Sequence, residues 1–135
     1  MPAKQPQPRL LWLHTGGTVG MRPDGGSGPL VPADFERMVR EHVPELGKVA
    51  RFDLEVLCNL DSSDVGPATW SKLASRLGER LGERSGGRHL FDGAVVTHGT
   101  DTMVETAKVL AAIPDKTIVL TGALNPARFR GSDAE

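Results

Sequence analysis

Tyrosine is absent from the sequence, cysteine occurs once, and no long apolar run is present. The single cysteine, Cys58, excludes an intrachain disulfide framework and a zinc site built from several cysteines. No apolar stretch approaches the roughly 20 residues that span a bilayer, and the apolar run after the Pro-rich start is too short for a signal peptide. We therefore expect a cytoplasmic protein with no membrane partner.

An excess of either charge is also missing. Lys and Arg number 16 against 17 Asp and Glu, so the formal net charge is −1. A near-neutral chain lacks the electrostatic footprint of nucleic-acid-binding proteins, and we expect no nucleic-acid partner. The length of 135 residues supports one domain. We predict a disordered tail over residues 1–9 and a single α/β domain over residues 10–135.

The order of the apolar segments predicts the fold class. Short apolar runs bounded by glycine and polar residues are typical of buried strands, and they occur at residues 10–13, 51–60, 93–96 and 117–120. Apolar residues at helical spacing predict helices at residues 33–43, 67–81 and 101–112. Strands that alternate with helices indicate an α/β three-layer sandwich around a mostly parallel, flavodoxin-like or Rossmann-like sheet.

Each predicted strand ends in small polar residues. The segments concerned are Thr15–Thr18, Asp61–Asp64, Thr97–Asp101 and Thr121–Gly122. Because ligands of open parallel sheets bind outside the carboxyl ends of the strands, we expect these segments to line one crevice. Hydroxyls, carboxylates and free backbone N–H groups in such a crevice suit a small polar zwitterion, or acyl transfer by a hydroxyl nucleophile.

Each of these segments also has a purely structural interpretation. Thr15–Thr18 fits a tight strand-to-loop turn, and it matches neither G-x-G-x-x-G nor the Gly-Lys-Ser/Thr ending of a phosphate-binding loop. Asp61–Asp64 fits an Asx turn ahead of a helix that begins at Pro67. Thr102 and Glu105 have the spacing of a capping box, in which both side chains bind backbone N–H groups at the start of a helix.

Three further features favour structure over chemistry. His14 and His98 each precede a glycine-containing turn, but no third ligand stands at metal-like spacing, so we expect no metal. Cys58 alternates with core positions and is expected to be a small buried hydrophobe. The internal repeat LGER, at residues 77–80 and 81–84, is expected to be a solvent-exposed helix end.

Several segments, in order and spacing, resemble the N-terminal domain of the bacterial-type L-asparaginase (asparaginase/glutaminase) family. His14–Met21 (HTGGTVGM) resembles the first family signature, and Thr97–Thr106 (THGTDTMVET) resembles the second. Leu60–Asp64 (LDSSD) resembles the substrate-holding turn between them, in the form of the cytosolic subgroup. Residues 117–123 and 128–133 resemble the strand and loop that follow the second signature. The chain is thus similar to a cytosolic-like or short single-domain member.

The resemblance implies an amidohydrolase that converts the side-chain amide of L-asparagine to L-aspartate and ammonia through a threonine acyl-enzyme. By position in the motifs, Thr15 matches the nucleophile, Thr100 the second catalytic threonine, and Asp101 the carboxylate that takes the substrate's α-ammonium. Ser62 matches the residue that holds the α-carboxylate. The same motifs place further substrate-binding residues at Gly16, Thr18, Asp61, Ser63 and Gly99.

The resemblance implies no metal and no cofactor, a small-molecule substrate (asparagine or glutamine) and a homo-oligomer. The family's full-length enzymes also carry a second, C-terminal domain that supplies part of the substrate site across a dimer interface, and we expect that domain to be absent here. Two further family features have no counterpart, a tyrosine in the loop after the first signature and a lysine well downstream of the Thr-Asp pair. Their absence keeps a second hypothesis open, a non-catalytic amino-acid-binding or regulatory domain of the same fold. A third hypothesis is the asparaginase-like part of a transamidation or lipid-hydrolysing protein whose other domains lie beyond Glu135. The last strand is expected to leave part of the sheet uncovered, so that an isolated chain dimerises or aggregates.

Overall fold

A computed structural model describes residues 5–17, 32–113 and 115–123, and the side chains of all of these except 32–36. The elements, in chain order, are β1 (Arg9–Gly16), α1 (Pro32–His42), α2 (Leu46–Val49), β2 (Arg51–Leu60), α3 (Pro67–Leu81), β3 (Arg84–Ser85), β4 (Arg88–His89), β5 (Gly93–Thr97), α4 (Met103–Leu110) and β6 (Thr117–Thr121). A short 3₁₀ turn, Ser62–Asp64, stands between β2 and α3.

The main sheet contains β2, β1, β5 and β6 in that order, and every neighbouring pair is parallel. The predicted α/β class with a parallel sheet is confirmed, and the four predicted strands are the four strands of this sheet. The chain moves from β1 to β2 on one side and then crosses to β5 on the other side of β1. Such a reversal of direction opens a crevice at the carboxyl ends of the two central strands, here β1 and β5.

One face of the sheet carries the apolar core. Leu11 and Leu13 of β1 are fully buried, and so are Leu73 and Leu77 of α3. Leu73, Leu77 and Leu81 recur every four residues, which directs one apolar stripe of α3 at the sheet. Each fully buried leucine contributes about 1.5–3 kcal/mol to folding. The leucines of the LGER repeat therefore belong to the core, in keeping with the helical spacing of the apolar residues, whereas Gly78, Glu79 and Gly82 of the repeat are exposed as expected of a helix end.

The opposite face of the sheet packs against α1 and α2, so the fold has three layers. Trp12 alternates with Leu11 and Leu13 along β1 and therefore points to this second face. There it meets Phe52 edge to face, with the ring centroids 5.6 Å apart. A cavity of about 450 Å³ lies between these rings and the two helices, with Arg40 among its lining residues. None of the predicted site residues that the structure describes lines this cavity.

Paired charges hold the amino end of the sheet. Arg80, near the end of α3, contacts Glu55 at 2.7 Å and Asp53 at 3.5 Å. Arg9 of β1 pairs with Asp53 at 2.8 Å. The guanidinium carbons of Arg9 and Arg80 lie 5.3 and 5.0 Å from the centroid of the Phe91 ring, within the range of cation–π attraction. Together with a second arginine on Glu55, these charges form the amino-end charge cluster: Arg9, Asp53, Glu55, Arg76 and Arg80.

The elements that the sequence analysis did not predict are all short. They are α2, the 3₁₀ turn and the antiparallel pair β3–β4. The β3–β4 turn is Gly86–Gly87, with φ of 58° and 79°, as type I′ hairpin turns require. Contacts also begin earlier than the predicted tail allows, because the side-chain amide of Gln7 donates to Lys48 O at 2.8 Å. Of the helices in the described ranges, none combines the length and apolar character of a membrane span.

Candidate active site

Three segments of the chain meet at the carboxyl end of the sheet. They are the end of β1 with Gly17, the 3₁₀ turn after β2, and the turn His98–Asp101 after β5. The Gly17 N–H donates to Leu60 O at 3.1 Å, which ties the first segment to the second. The Asp101 N–H donates to Ser62 Oγ at 3.1 Å, which ties the third segment to the second. The structure thus brings the polar strand ends into one place.

Glycine is required where these segments touch. Gly16 and Gly17 have φ of 119° and 84°, a backbone conformation that L side chains rarely adopt. A Cβ on Gly17 would lie 2.5 Å from Gly99 Cα, and a Cβ on Gly99 would lie 2.5 Å from Ser62 Cβ. The backbones of Gly17 and Gly99 therefore pack directly on one another, and Gly99 packs in turn on the side chain of Ser62. We call this arrangement the glycine stack.

Thr15, the predicted nucleophile, lies at the end of β1 and is 1% exposed. Its hydroxyl donates to Thr97 O at 2.8 Å, and its carbonyl accepts from Cys58 Sγ at 3.3 Å. Burial raises the pKa of the Cys58 thiol, so the thiol stays protonated and can donate. Cys58 thus supports the backbone of Thr15, and it is half-buried rather than fully buried as expected.

The predicted ligand residues of the second segment, Asp61–Ser63, have two different roles. Asp61 Oδ1 accepts hydrogen bonds from Ser63 N at 2.9 Å and from Ser63 Oγ at 2.8 Å. These two bonds lower the pKa of Asp61 and form the predicted Asx turn. Ser62 is buried between them, and its Oγ faces the third segment. Local structure therefore occupies Asp61 and Ser63, whereas Ser62 reaches across to the turn after β5.

The third segment presents Thr100 and Asp101 at the surface. Thr102, which follows them, is the N-cap of α4, but its side chain makes no capping hydrogen bond. Its hydroxyl instead donates to Ser62 O at 2.7 Å. The predicted capping box is therefore wrong, because Thr102 Oγ1 is used to fasten the Thr100–Asp101 turn to the segment after β2.

His98 lies beneath that turn and is fully buried. Its Nδ1 is 2.6 Å from Gly99 O, and its Nε2 is 2.9 Å from Thr106 Oγ1. Thr106 also accepts from Trp70 Nε1 at 2.8 Å. Sequence reasoning had no role for Trp70 and Thr106 at the site. A signal was available in Thr106, a polar residue on the helix face that points to the core.

His14, near the carboxyl end of β1, is buried as His98 is after β5. Its Nδ1 is 2.7 Å from Thr97 Oγ1, which also accepts from Trp12 Nε1 at 3.1 Å. Burial lowers the pKa of His14 to about 4, so the ring is neutral at pH 7. Within the described ranges, no group of three or more His, Cys, Asp or Glu side chains could hold a metal ion.

Two predicted parts of the site lie outside the described residues. Thr18 and the loop that follows it belong to residues 18–31, and the Arg128–Asp133 segment belongs to residues 124–135. The sites that the structure does place are thus Thr15 and Gly16 on β1, the segment Asp61–Ser63, and the turn Gly99–Asp101.

Comparison with known proteins agrees with this architecture. The family described as "Asparaginase, N-terminal" matches residues 9–135. A solved structure named "Probable Cytoplasmic L-asparaginase", from Campylobacter jejuni, superposes with a TM-score of 0.79 at 32% identity, over 95% of this chain and 38% of that one. The chain therefore belongs to the asparaginase family and corresponds to its N-terminal domain.

Curated relatives include a subunit of archaeal glutamyl-tRNA(Gln) amidotransferases. The protein from Thermofilum pendens is 35% identical over 133 residues, which cover 96% of this chain and 29% of the relative. The one from Thermococcus kodakarensis is 32% identical over 137 residues, covering 99% and 30% respectively. The chain thus spans somewhat under a third of the length of these relatives.

Proposed function

We propose that this chain carries the catalytic and ligand-binding turns of a cytoplasmic amidohydrolase that acts on the side-chain amide of a free amino acid. The glycine stack is the observation that carries this proposal. It packs the segment that follows Thr15, the segment around Ser62 and the turn with Thr100 and Asp101 against one another. A hydroxyl nucleophile, a hydroxyl donor and a carboxylate therefore share one edge of the sheet, where open parallel sheets bind ligands.

Two groups suit the head of an α-amino acid. Ser62 Oγ accepts the Asp101 N–H, and no acceptor for its own proton is recorded among the described residues. That proton is available for the α-carboxylate of a ligand, and the Asp101 N–H polarises the hydroxyl that donates it. The exposed Asp101 carboxylate is available for the α-ammonium, a charge-assisted contact.

The reaction proposed for Thr15 conserves every atom and charge. Oγ1 attacks the amide carbon of the substrate, an Oγ1–C bond forms, and the hydroxyl proton passes to the departing nitrogen as the C–N bond breaks. Ammonia leaves and an ester remains on Thr15. Water then cleaves the ester, which releases the free acid and restores the hydroxyl.

One observation favours a second candidate, a non-catalytic amino-acid-binding domain. The Thr15 hydroxyl is buried and donates to the carbonyl of Thr97. A carbonyl oxygen accepts a hydrogen bond but does not take the proton at neutral pH. Turnover therefore requires Thr15 to rotate away from Thr97 and to find a base, whereas binding through Ser62 and Asp101 requires neither.

The named relatives bear on the substrate and on the assembly. Because they are subunits of an amidotransferase, we propose glutamine beside asparagine as the amide donor. We also propose that this domain works within a larger assembly that uses the ammonia. Glutamine is longer than asparagine by one methylene, and a pocket discriminates between substrates that differ by one methylene by only about 1–3 kcal/mol.

Ammonia release and calorimetric binding of aspartate and glutamate, measured on the same sample, test the proposal. The nucleophile variant Thr15→Ala is expected to bind the product acid and release no ammonia, and Ser62→Ala is expected to bind about tenfold or more weakly. Thr117→Ala, an exposed change at the amino end of the sheet, is the matched control. Binding without ammonia release by the unaltered chain would favour the binding domain. Absence of both would refute both candidates. A reactive asparagine analogue that labels Thr100 rather than Thr15 would overturn the assignment of the nucleophile.

A further inference from the structure

A buried chain of hydrogen bonds runs beneath the turn that carries Thr100 and Asp101. Trp70 Nε1 lies 2.8 Å from Thr106 Oγ1, Thr106 Oγ1 lies 2.9 Å from His98 Nε2, and His98 Nδ1 lies 2.6 Å from Gly99 O. Thr106 and His98 are both fully buried. This series of hydrogen bonds begins on α3, passes through α4 and ends on the backbone of the turn.

The chemistry of its two ends fixes the direction of the first and the last bond. The indole N–H of Trp70 only donates, and the carbonyl of Gly99 only accepts. His98 Nδ1 must therefore carry a proton and donate it to Gly99 O. The Thr106 hydroxyl accepts from Trp70 and keeps one proton of its own, which completes the series of bonds when it is donated to Nε2. His98 is thus held as the tautomer protonated at Nδ1.

We propose that Trp70, Thr106 and His98 form a positioning device for the candidate active site. The carbonyl of Gly99 belongs to the peptide plane that it shares with the N–H of Thr100. In a trans peptide the two groups point in opposite directions, so a carbonyl held on His98 turns the Thr100 N–H away from the core. The device sets the angle at which Thr100 and Asp101 leave the sheet. Its consequence for ligand binding rests on the proposed function, whereas its effect on the turn does not.

Two features indicate that His98 positions the turn and does not merely fill space in the core. Both ring nitrogens of His98 are engaged with specific partners, so the ring cannot rotate without breaking a bond. Packing against Gly17 and Ser62 limits the space around Gly99. The other hydrogen bonds given for the described turn come from the His98 N–H to Thr121 O and from the Asp101 N–H and the Thr102 hydroxyl to Ser62, and none of them holds the Gly99 carbonyl. The peptide plane next to Thr100 therefore depends on His98.

The unaltered chain provides the first test. Two-bond ¹H–¹⁵N correlation spectra distinguish the tautomers of a histidine. His98 is expected to show a protonated Nδ1 and an unprotonated Nε2. A ring protonated at Nε2 alone would overturn the proposal, because such a ring cannot donate to Gly99.

A matched pair of variants provides the second test. In His98→Asn the amide nitrogen occupies the position of Nδ1, and in His98→Gln it occupies the position of Nε2. The first variant can still hold Gly99 O, whereas the second can hold only Thr106. Amide hydrogen exchange at Asp101 and calorimetric binding of aspartate are measured for both, with the melting temperature as the measure of general destabilisation.

The expected result is a split between the two variants at comparable melting temperatures. Asp101 keeps its protection to within about threefold in His98→Asn and loses about tenfold or more in His98→Gln. Equal losses of Asp101 protection in both variants, or losses in neither, would overturn the proposal and show that His98 only packs in the core. If the unaltered chain fails to bind aspartate while the exchange data still split, the proposed function fails and the positioning device stands.

Discussion

At the amino end of the sheet, Arg9 and Arg80 share Asp53 and flank the ring of Phe91, with ion-pair distances from 2.7 to 3.5 Å. At the carboxyl end, hydrogen bonds and the close packing of Gly17, Gly99 and Ser62 hold the described turns together, and Asp101 lies at the surface. The charges at the first end satisfy one another. At the second end, among the residues that the structure describes, the Asp101 carboxylate is exposed, and the proposed function assigns it and the Ser62 hydroxyl to a ligand.

The comparison separates stability from function along one sheet. A partly buried network of charges can stabilise the amino end of the sheet, because no ligand has to enter there. A site for a zwitterion must keep its own charge unpaired and must hold its shape by other means. Here those means are the close approach of glycines and the hydrogen bonds of two buried histidines, His14 and His98. Changes at one end or the other test this division, and they differ in the size of the expected effect.

Gly99→Ala breaks the glycine stack. The new Cβ would meet Ser62 Cβ at 2.5 Å and Ser62 Oγ at 2.6 Å, so the turns must separate. We expect a loss of about 3 kcal/mol in the free energy of unfolding, the upper range for overpacking. Urea unfolding measures it. The double variant Gly99→Ala with Ser62→Gly should recover part of the loss, and strictly additive effects of the two changes would contradict the stack.

His14 predicts a pH dependence of stability at the carboxyl end. Its pKa is about 4 in the folded chain, below the ordinary value of 6.5, because burial favours the neutral ring. The unfolded chain therefore binds the proton first, and stability is full above pH 6.5 and falls as the pH drops toward 4. From about pH 7.5 to about pH 5 the expected loss is about 2 kcal/mol. His14→Gln should flatten this part of the urea-unfolding profile, and an unchanged slope in that variant would contradict the assignment.

Arg80→Met tests the amino end. The change removes the contacts with Glu55 and Asp53 but keeps an apolar side chain over Phe91. We expect a loss of about 1–2 kcal/mol, between the values for exposed and buried pairs. Because about 1 M salt shortens the Debye length to about 3 Å, the difference between the variant and the unaltered chain should shrink in high salt. A difference independent of salt would mean that packing, not charge, holds this end.

Gly78→Ala is the counterpart of Gly99→Ala at the amino end. Gly78 lies inside α3, and a Cβ there would meet no atom within 4 Å. Alanine should therefore stabilise the helix by about 0.5–1 kcal/mol, because it restricts the unfolded chain. The urea midpoint should rise. A fall would show that this glycine, too, is required by a contact.

The fold could be predicted because its signals are local. Arg51–Leu60 has the alternation of a strand and begins and ends where expected, and Pro67 opens α3 as it does in many helices. The hairpin β3–β4 is too short to show a period, although Gly86–Gly87 carries a turn signal. The LGER repeat is a solvent-exposed helix end only in part, because the four-residue spacing of its leucines places them in the core.

The site could be predicted only as far as its motifs reach. Strand ends and family signatures selected Thr15, Ser62 and Asp101, which the structure places in three adjoining segments. They could not reveal that Thr102 binds Ser62 O rather than capping α4, because the choice depends on a partner 40 residues away. The roles of Trp70 and Thr106 are hidden for the same reason, since hydrogen bonds between elements leave no periodic pattern.

The glycine stack also limits how this protein can be redesigned. Gly17 and Gly99 touch through backbone atoms and Gly99 touches the side chain of Ser62, so a change of shape in one turn is transmitted to the other two. A library that varies the turn after β5 alone would return mostly unfolded or inactive chains. Redesign of this edge of the sheet therefore calls for Gly17, Gly99 and Ser62 to be varied together rather than one at a time.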